Sequence, residues 1–453
     1  MAAKLFFYGG TGMVTGANFL LDTGRLKILI DCGLLQGVES VNEANRKDFP
    51  YDPAEINFLF VTHAHMDHIG RIPKLVRDGF RGTIYSTPET RALSEVMLQD
   101  ALGLITREAT ETGKLPLYEQ ADVATTFSLW KTLTYHTTLP LGDMVQVYLK
   151  DAGHILGSSM VEFWRYNKCL VCTGDLGNTP TPLLNDTEKL DRPTYLLTES
   201  VYGNRNHEHL EGRREKLAAA VRRAIKKGGT LLIPAFSLEK TQVLLSEIND
   251  LLMEKKIEKC PIYLDSPLAV SVTSIYRQMD SNYNEETKKR IKNGDDPFDF
   301  PGLRIVSTHR ESLAIQNAKN PKIIIAGSGM SVGGRIVQHE RNMLGNSKNT
   351  VLFIGYQSAG TLGRRIAEGE KNLEIMGEVV PVRATIDVVH GYSSHKDRQG
   401  IINLIEPCAD TLKKVFVVMG EPATAMFLAQ NIKDQLGIEA VNPELGSMEG
   451  LDF

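Results

Sequence analysis

Apolar residues in the N-terminal part of the chain come in short continuous runs rather than helical stripes. LKILIDCG (26–33), INFLFVTHAHMDH (56–68), MVQVYLKDAGH (144–154), SMVEFWR (159–165) and KCLVCTGD (168–175) each carry a core of aliphatic or aromatic residues. Runs of this length predict strands buried on both faces. Several break into histidine or aspartate at their ends, which puts polar chemistry on loops held by a rigid sheet.

From 204 to 384 the rhythm changes. GGTLLIPAF (228–236) predicts a strand, and Val243, Leu244, Ile248, Leu251 and Leu252 follow at helical spacing. PIYLDSP, KIIIAGSGM and TVLFIGYQSAG predict further strands, each leading into a polar or helical stretch. Strand and helix in alternation predict a mainly parallel sheet with helices on both faces. EVVPVRATIDVVHGYSSHKD, VFVVMGE and the helix-like PATAMFLAQNIKDQLG then return to the first pattern.

The chain has 453 residues, a net charge of -4 and five scattered cysteines. At ~150 residues per domain, two or three folding units are expected. No apolar run approaches the ~20 residues of a membrane span, so no membrane association is expected. MAAKLFFYGGTGMV does not have the pattern of a secretory signal, and the cysteine usage suits a reducing cytoplasm. Cys169 and Cys172 form a C-x-x-C, but apolar neighbours and the lack of a second pair favour core packing over a metal site. Bulk charge gives no sign of nucleic acid.

Chemistry concentrates in THAHMDHIGRIP (62–73), which holds His63, His65, Asp67 and His68, three of the chain's eleven histidines. Alternate residues of an extended segment project the same way, so His63 and His65 can address one metal ion. Asp67 and His68 then turn toward a second point, which suits a metal pair ~3.5–4 Å apart. DAGHILGSS adds His154 and CTGDLG adds Asp175, both at strand ends.

H-x-H-x-D-H, then a Gly-flanked His, then Gly-Asp, resembles the metallo-β-lactamase superfamily. The resemblance implies one zinc on His63, His65 and His154, a second on Asp67 and His68, and Asp175 bridging them. Asp31, in LIDCG, matches a motif whose acid supports the ligands from behind. Glu199 in TESVYGNRNH and His395 in HGYSSHKD resemble the late motifs of the β-CASP nucleases, as do GSGMSVGGR and GYQSAGTLGRRI. The similarity spans almost the whole chain. It implies an αββα sandwich, residues 1–203 and 385–453, interrupted by a β-CASP domain, residues 204–384.

The resemblance implies a zinc-dependent ribonuclease acting on single-stranded RNA, as endonuclease, 5′-to-3′ exonuclease or both. Asp67, Glu199 and His395 would be the catalytic groups, with His395 as general acid. RNA-processing members carry a His before the Gly-Glu of VFVVMGE; here Met419 stands there, and a thioether is a poor zinc ligand. The second site is therefore expected to bind more weakly or to take another divalent ion, with His390 as a substitute ligand less favoured. Met419 also keeps a single-stranded DNA nuclease open. A small-molecule metallo-hydrolase and an inactive scaffold are the remaining alternatives, the first opposed by the long insertion and the second by six of seven ligands being present. Ser328, Gly329, Gly333, Arg364, Arg365 and Ser394 are the expected substrate contacts. The basic runs RRAIKK (222–227) and KKRIK (288–292) fit solvated helix faces better than an RNA surface. A homodimer through the C-terminal segment is compatible with the family.

Overall fold

The apolar run at 26–33 forms the strand Lys27–Ile30, and its neighbours in space build a seven-stranded sheet. That sheet runs Met448–Leu451, Ala3–Phe7, Phe19–Asp22, Lys27–Ile30, Phe58–Phe60, Thr83–Ser86, Trp130–Thr132. Its first half pairs antiparallel and its second half parallel. These strands belong to a computed structural model that describes residues 3–37, 40–207 and 210–453.

A second seven-stranded sheet runs Glu439–Val441, Lys414–Val417, Tyr195–Thr198, Lys168–Cys172, Ser159–Arg165, Val145–Asp151, Leu139–Gly142. Phe7, Phe19 and Phe60 of the first sheet pack with Phe163, Leu170 and Phe416 of the second in one core. Outside the first sheet, Ile72, Leu75, Leu98 and Val123 come from helices; outside the second, Ile401, Ile405, Leu428 and Ile432 do. The result is two sheets between two helical layers, the expected αββα sandwich. Val145–Asp151 departs from the expectation of two buried faces. Its exposure alternates, because it lies next to the outermost strand, where only one face is covered.

Cys169 and Cys172 sit three apart on one strand, so they face opposite ways. Cys169 enters the outer core and Cys172 the inter-sheet core. Burial pushes both thiols up.

The other unit holds a six-stranded, all-parallel sheet in the order Leu303–Ile305, Ile262–Asp265, Lys322–Ala326, Thr230–Pro234, Thr350–Phe353, Thr385–Val388. Parallel strands need crossovers, and helices supply them. Helix Leu210–Lys227 packs on the central strands, and helix Gly334–Met343 covers Leu232, Ile324 and Ala326 through Ile336 and Met343. The two compact units are Met1–Asn206 with His395–Phe453, and His207–Ser394. The return to the first unit thus falls at 395 rather than 385, because Thr385–Val388 completes the parallel sheet.

Candidate metal centre

The strand Phe58–Phe60 leads to Thr62, which anchors the histidine motif. Its amide and its hydroxyl each donate to the Asp31 carboxylate at 2.8 Å. Asp31 is buried, sits at φ 58°, and also meets His68 Nδ1 at 2.7 Å. One carboxylate therefore fixes both ends of the motif and leaves His68 Nε2 to face inward. Close backbone contact holds the turn: a Cβ on Gly33 would lie 1.5 Å from the Asp67 carbonyl oxygen, so only glycine fits. The chain then enters the short helix Met66–Ile69, which carries Asp67 and His68 and sets the His68 ring 4.0 Å from that of His63.

His154 and Asp175 arrive from the second sheet. Ser158 Oγ accepts from the amides of His154 (3.0 Å) and Ile155 (3.2 Å), folding the loop after Val145–Asp151. Gly177 packs on Gly153, where a Cβ would lie 1.9 Å from the carbonyl oxygen, and Gly177 also bridges to His395. This ladder aligns the loops of His154, Asp175 and His395.

Four donors converge. His63 Nε2 lies 3.1 Å from His65 Nδ1, and His154 Nε2 lies 3.3 Å from the same atom. Asp175 Oδ2 lies 3.4 Å from His63 Nε2 and 3.5 Å from His154 Nε2. Tetrahedral ligands ~2.0–2.1 Å from zinc are themselves roughly 3.3 Å apart. These donors thus have the spacing of a zinc shell.

The opposite oxygen of Asp175 looks the other way. Asp175 Oδ1 faces His68 Nε2 at 3.4 Å, and Asp67 Oδ2 lies 4.0 Å from that nitrogen. Both Asp175 Oδ1 and His68 Nε2 are buried without a hydrogen-bond partner among the described residues, as two atoms shaped to share a cation would be. This second pole is looser, and Asp67 stands outside the tight donor groups.

Electrostatics agree with the geometry. Burial, then the charge of neighbouring histidines, holds His65 and His154 well below the ordinary imidazole range. Neutral imidazole is the ligating form. Burial would raise Asp175, but His68, His63 and His395 outweigh it and keep the carboxyl well below its usual range. Burial opposes charge on His68 as well, yet Asp175 and Asp31 hold it well above the ordinary value. Burial raises Asp67, with His68 opposing.

Glu199 and His395 form a pair beside this centre. Glu199 Oε1 accepts the Leu176 amide at 2.7 Å and meets His395 Nδ1 at 3.2 Å. The His395 ring lies 4.7 Å from that of His154, tilted by 47°, and its side chain is 24% exposed. With Asp175, these two side chains form a second close donor group.

Met419, at the position of the expected seventh ligand, belongs to the inter-sheet core. Its sulfur lies 2.5 Å from where a Gly10 Cβ would stand, so the thioether is turned into packing. It also lines a small cavity with Asp31, His68 and Glu199. His390 is exposed and falls in the other unit, outside both donor groups.

Of the expected substrate contacts, Ser328, Gly329, Gly333, Arg364, Arg365 and Ser394 all lie in the parallel-sheet unit. Ser328 Oγ caps its own loop by accepting the Val332 amide at 2.9 Å. Gly329 is packed against the ring of Phe236. Arg364 and Arg365 are engaged at the surface by Glu368 and Glu370. Thr62 and Ser158 were not singled out in the sequence, although each sits inside a metal motif. Their signal was position: a hydroxyl directly before the first histidine, and one four residues after the third-site histidine.

Residues 12–235 match the metallo-beta-lactamase superfamily, residues 241–366 the Beta-Casp domain, and residues 379–443 the Zn-dependent metallo-hydrolase RNA specificity domain. The chain is 34% identical over 399 residues to ribonuclease TTHA0252 of Thermus thermophilus, covering 88% of this chain and 90% of that protein. It is 31% identical over 447 residues to transcription termination factor FttA of Methanosarcina mazei, covering 95% and 69%. A crystal structure of a protein of unknown function from Enterococcus faecalis shares the fold, with a TM-score of 0.57, 12% identity and full coverage of both chains.

Proposed function

Because the chain belongs to the β-CASP family of the metallo-β-lactamase superfamily, we propose that it is a zinc-dependent ribonuclease hydrolysing phosphodiester bonds of single-stranded RNA. The observation that carries this reading is the four-donor group His63, His65, His154 and Asp175 beside the Glu199–His395 pair. The ribonuclease name of a relative and the RNA-specificity match support RNA as substrate. Five free cysteines fit a reducing cytoplasm.

His63, His65, His154 and Asp175 would hold one zinc, and Asp67, His68 and the second oxygen of Asp175 the other. When bound, the metal supplies Lewis-acid stabilisation of phosphoryl charge and an activated nucleophile at neutral pH. Asp31 keeps His68 oriented through Nδ1. Asp67, half of the looser pole, orients the attacking oxygen. Glu199 accepts from His395 Nδ1 and so directs Nε2 to the proton transfer. His395 then protonates the departing sugar oxygen, leaving a 3′-hydroxyl and a 5′-phosphate.

Metal analysis of the purified protein, followed by assays on 5′-labelled RNA and matched single-stranded DNA, tests the proposal. RNA cleavage that a chelator abolishes and zinc restores is the expected result. Met419 favours the rival reading of a DNA nuclease, and equal cleavage of DNA would establish it. A metal-free, inactive protein would overturn both.

A further inference from the structure

The parallel-sheet unit gathers three loops at the carboxyl ends of its strands, the place where open α/β sheets bind ligands. Phe236 follows Thr230–Pro234, Gly329 follows Lys322–Ala326, and Gly355 follows Thr350–Phe353. Gly329 packs so tightly on Phe236 that a Cβ would lie 2.5 Å from the ring. Gln357 ties the other two loops by donating to the carbonyls of Gly329 (2.9 Å) and Gly355 (3.2 Å).

The ammonium of Lys240 sits in this cluster. It lies 4.7 Å from the centre of the Phe236 ring and 3.0 Å from where a Gly355 Cβ would stand. Among the described residues, no carboxylate pairs with it and no oxygen hydrogen-bonds it. Its setting breaks two local rules. Lys240 is the first residue of the helix Lys240–Met253, where the helix dipole repels a cation. The preceding Glu239 is held at φ 66°, which a non-glycine residue rarely adopts. Burial pushes the ammonium down to about 8, so the site still offers a proton-bearing donor at neutral pH. Local strain without a local gain is characteristic of functional positions. Tyr356 follows Gly355 in the chain and is 52% exposed, so an aromatic side chain reaches solvent one residue from the backbone that Lys240 approaches.

We infer that Lys240 and Tyr356 form a nucleotide subsite, in which Lys240 holds a backbone phosphate of single-stranded RNA and Tyr356 stacks on the adjoining base. An ammonium without a carboxylate partner selects an anion, and an exposed aromatic residue on the adjoining loop selects a flat partner; one nucleotide unit offers both. The inference rests on the ribonuclease reading for the identity of the strand.

The test uses the full chain, metal chelated to prevent cleavage, and a fluorescein-labelled single-stranded oligouridine read by anisotropy over a range of salt. Tyr356→Ala is expected to weaken binding about five- to 100-fold, and Tyr356→Trp to restore it. Lys240→Met is expected to reduce the slope of log affinity against log salt by about 0.7. Wild-type affinity in Tyr356→Ala, or a loss that Trp does not restore, overturns the stacking role; an unchanged salt slope in folded Lys240→Met overturns the phosphate role. Because Tyr356 is exposed, its variants keep the test valid if Lys240→Met does not fold. If wild type cleaves RNA while both variants bind normally, the subsite alone falls. If wild type binds no RNA, the ribonuclease reading falls with it.

Discussion

His395 presents Nδ1 to Glu199 Oε1 at 3.2 Å, and that same oxygen accepts the Leu176 amide at 2.7 Å. Glu199 is fully buried and fixed by backbone, whereas His395 stays partly exposed. The carboxylate is thus a post against which a reachable imidazole is oriented. His395→Ala is expected to lower RNA turnover by about 10²–10⁴ with metal content unchanged. Glu199→Gln should lose less, because the amide oxygen can still accept from Nδ1. Metal analysis beside single-turnover kinetics checks this, and normal turnover in His395→Ala would remove the general acid.

Asp31 holds Thr62 and His68 together without belonging to either donor group. Asp31 Oδ1 accepts the Thr62 amide while Oδ2 serves the Thr62 hydroxyl and His68 Nδ1, so Asp31→Asn keeps one acceptor and puts an amide donor at the other position. Removal of such a supporting group costs about 10–100-fold in metal affinity. The loss should fall first on the His68 pole, which Asp31 contacts directly, whereas His63 is reached only through the Thr62 hydroxyl. Titration against a competing chelator should show one metal equivalent weakened and the other retained. Two equivalents binding as in wild type would argue against the orienting role.

Met419 and Gly10 are locked together. The Met419 amide donates to the Gly10 carbonyl at 2.6 Å, the sulfur fills the space beside Gly10, and Gly10 sits at φ 67°. Gly10→Ala adds both strain and overlap, and should destabilise by about 1–3 kcal/mol. Met419→Ala should cost about 2–5 kcal/mol through the cavity it leaves. The double variant should lose less than the sum, because the second change makes room for the first. Denaturant unfolding of the four proteins measures the coupling. Met419→Leu should leave metal stoichiometry unchanged; a lost equivalent would show that the sulfur is a ligand after all.

The buried strands and the parallel insertion were legible in local pattern, while the αββα sandwich and the metal-ligand set were implied by the resemblance that the ordered motifs carry. His63, His65, Asp67 and His68 share one short segment, and buried strands precede His63, His154 and Asp175. Lys240 and Tyr356 were not legible. A sheet brings Lys240 and Gly355, far apart in sequence, to one edge, and although Tyr356 belongs to the GYQSAGTLGRRI stretch, nothing in that stretch points to Lys240. The fate of Met419 was half legible: its chemistry ruled out a good ligand, but only packing could reveal that Gly10 receives the sulfur. Arg364 and Arg365 lay beside a family motif, yet Arg364 pairs with Glu368 one helical turn on and Arg365 with Glu370 just past the helix end, as solvated surface charges do.

Glu340 gives the parallel-sheet unit a stability that depends on pH. Its carboxyl is fully buried, the Ser331 hydroxyl donates to one oxygen, and the other has no hydrogen-bond partner among the described residues. Burial pushes it up to about 8, with the Ser331 bond opposing. Glu239, whose partner is the Tyr276 hydroxyl, is pushed up to about 7 for the same reason. A carboxyl raised on folding binds its proton more tightly in the native state. Its contribution is therefore complete below the unfolded value of ~4.3 and is lost as pH rises through about 8. Glu340→Gln keeps an acceptor for Ser331 and removes the ionisation. Relative to wild type, its melting temperature should gain little at pH 5 and several degrees at pH 8.5, a difference on the order of a few kcal/mol. Thermal scans at the two pH values decide it: an offset that does not change with pH would mean that Glu340 ionises no differently in the folded and unfolded chain.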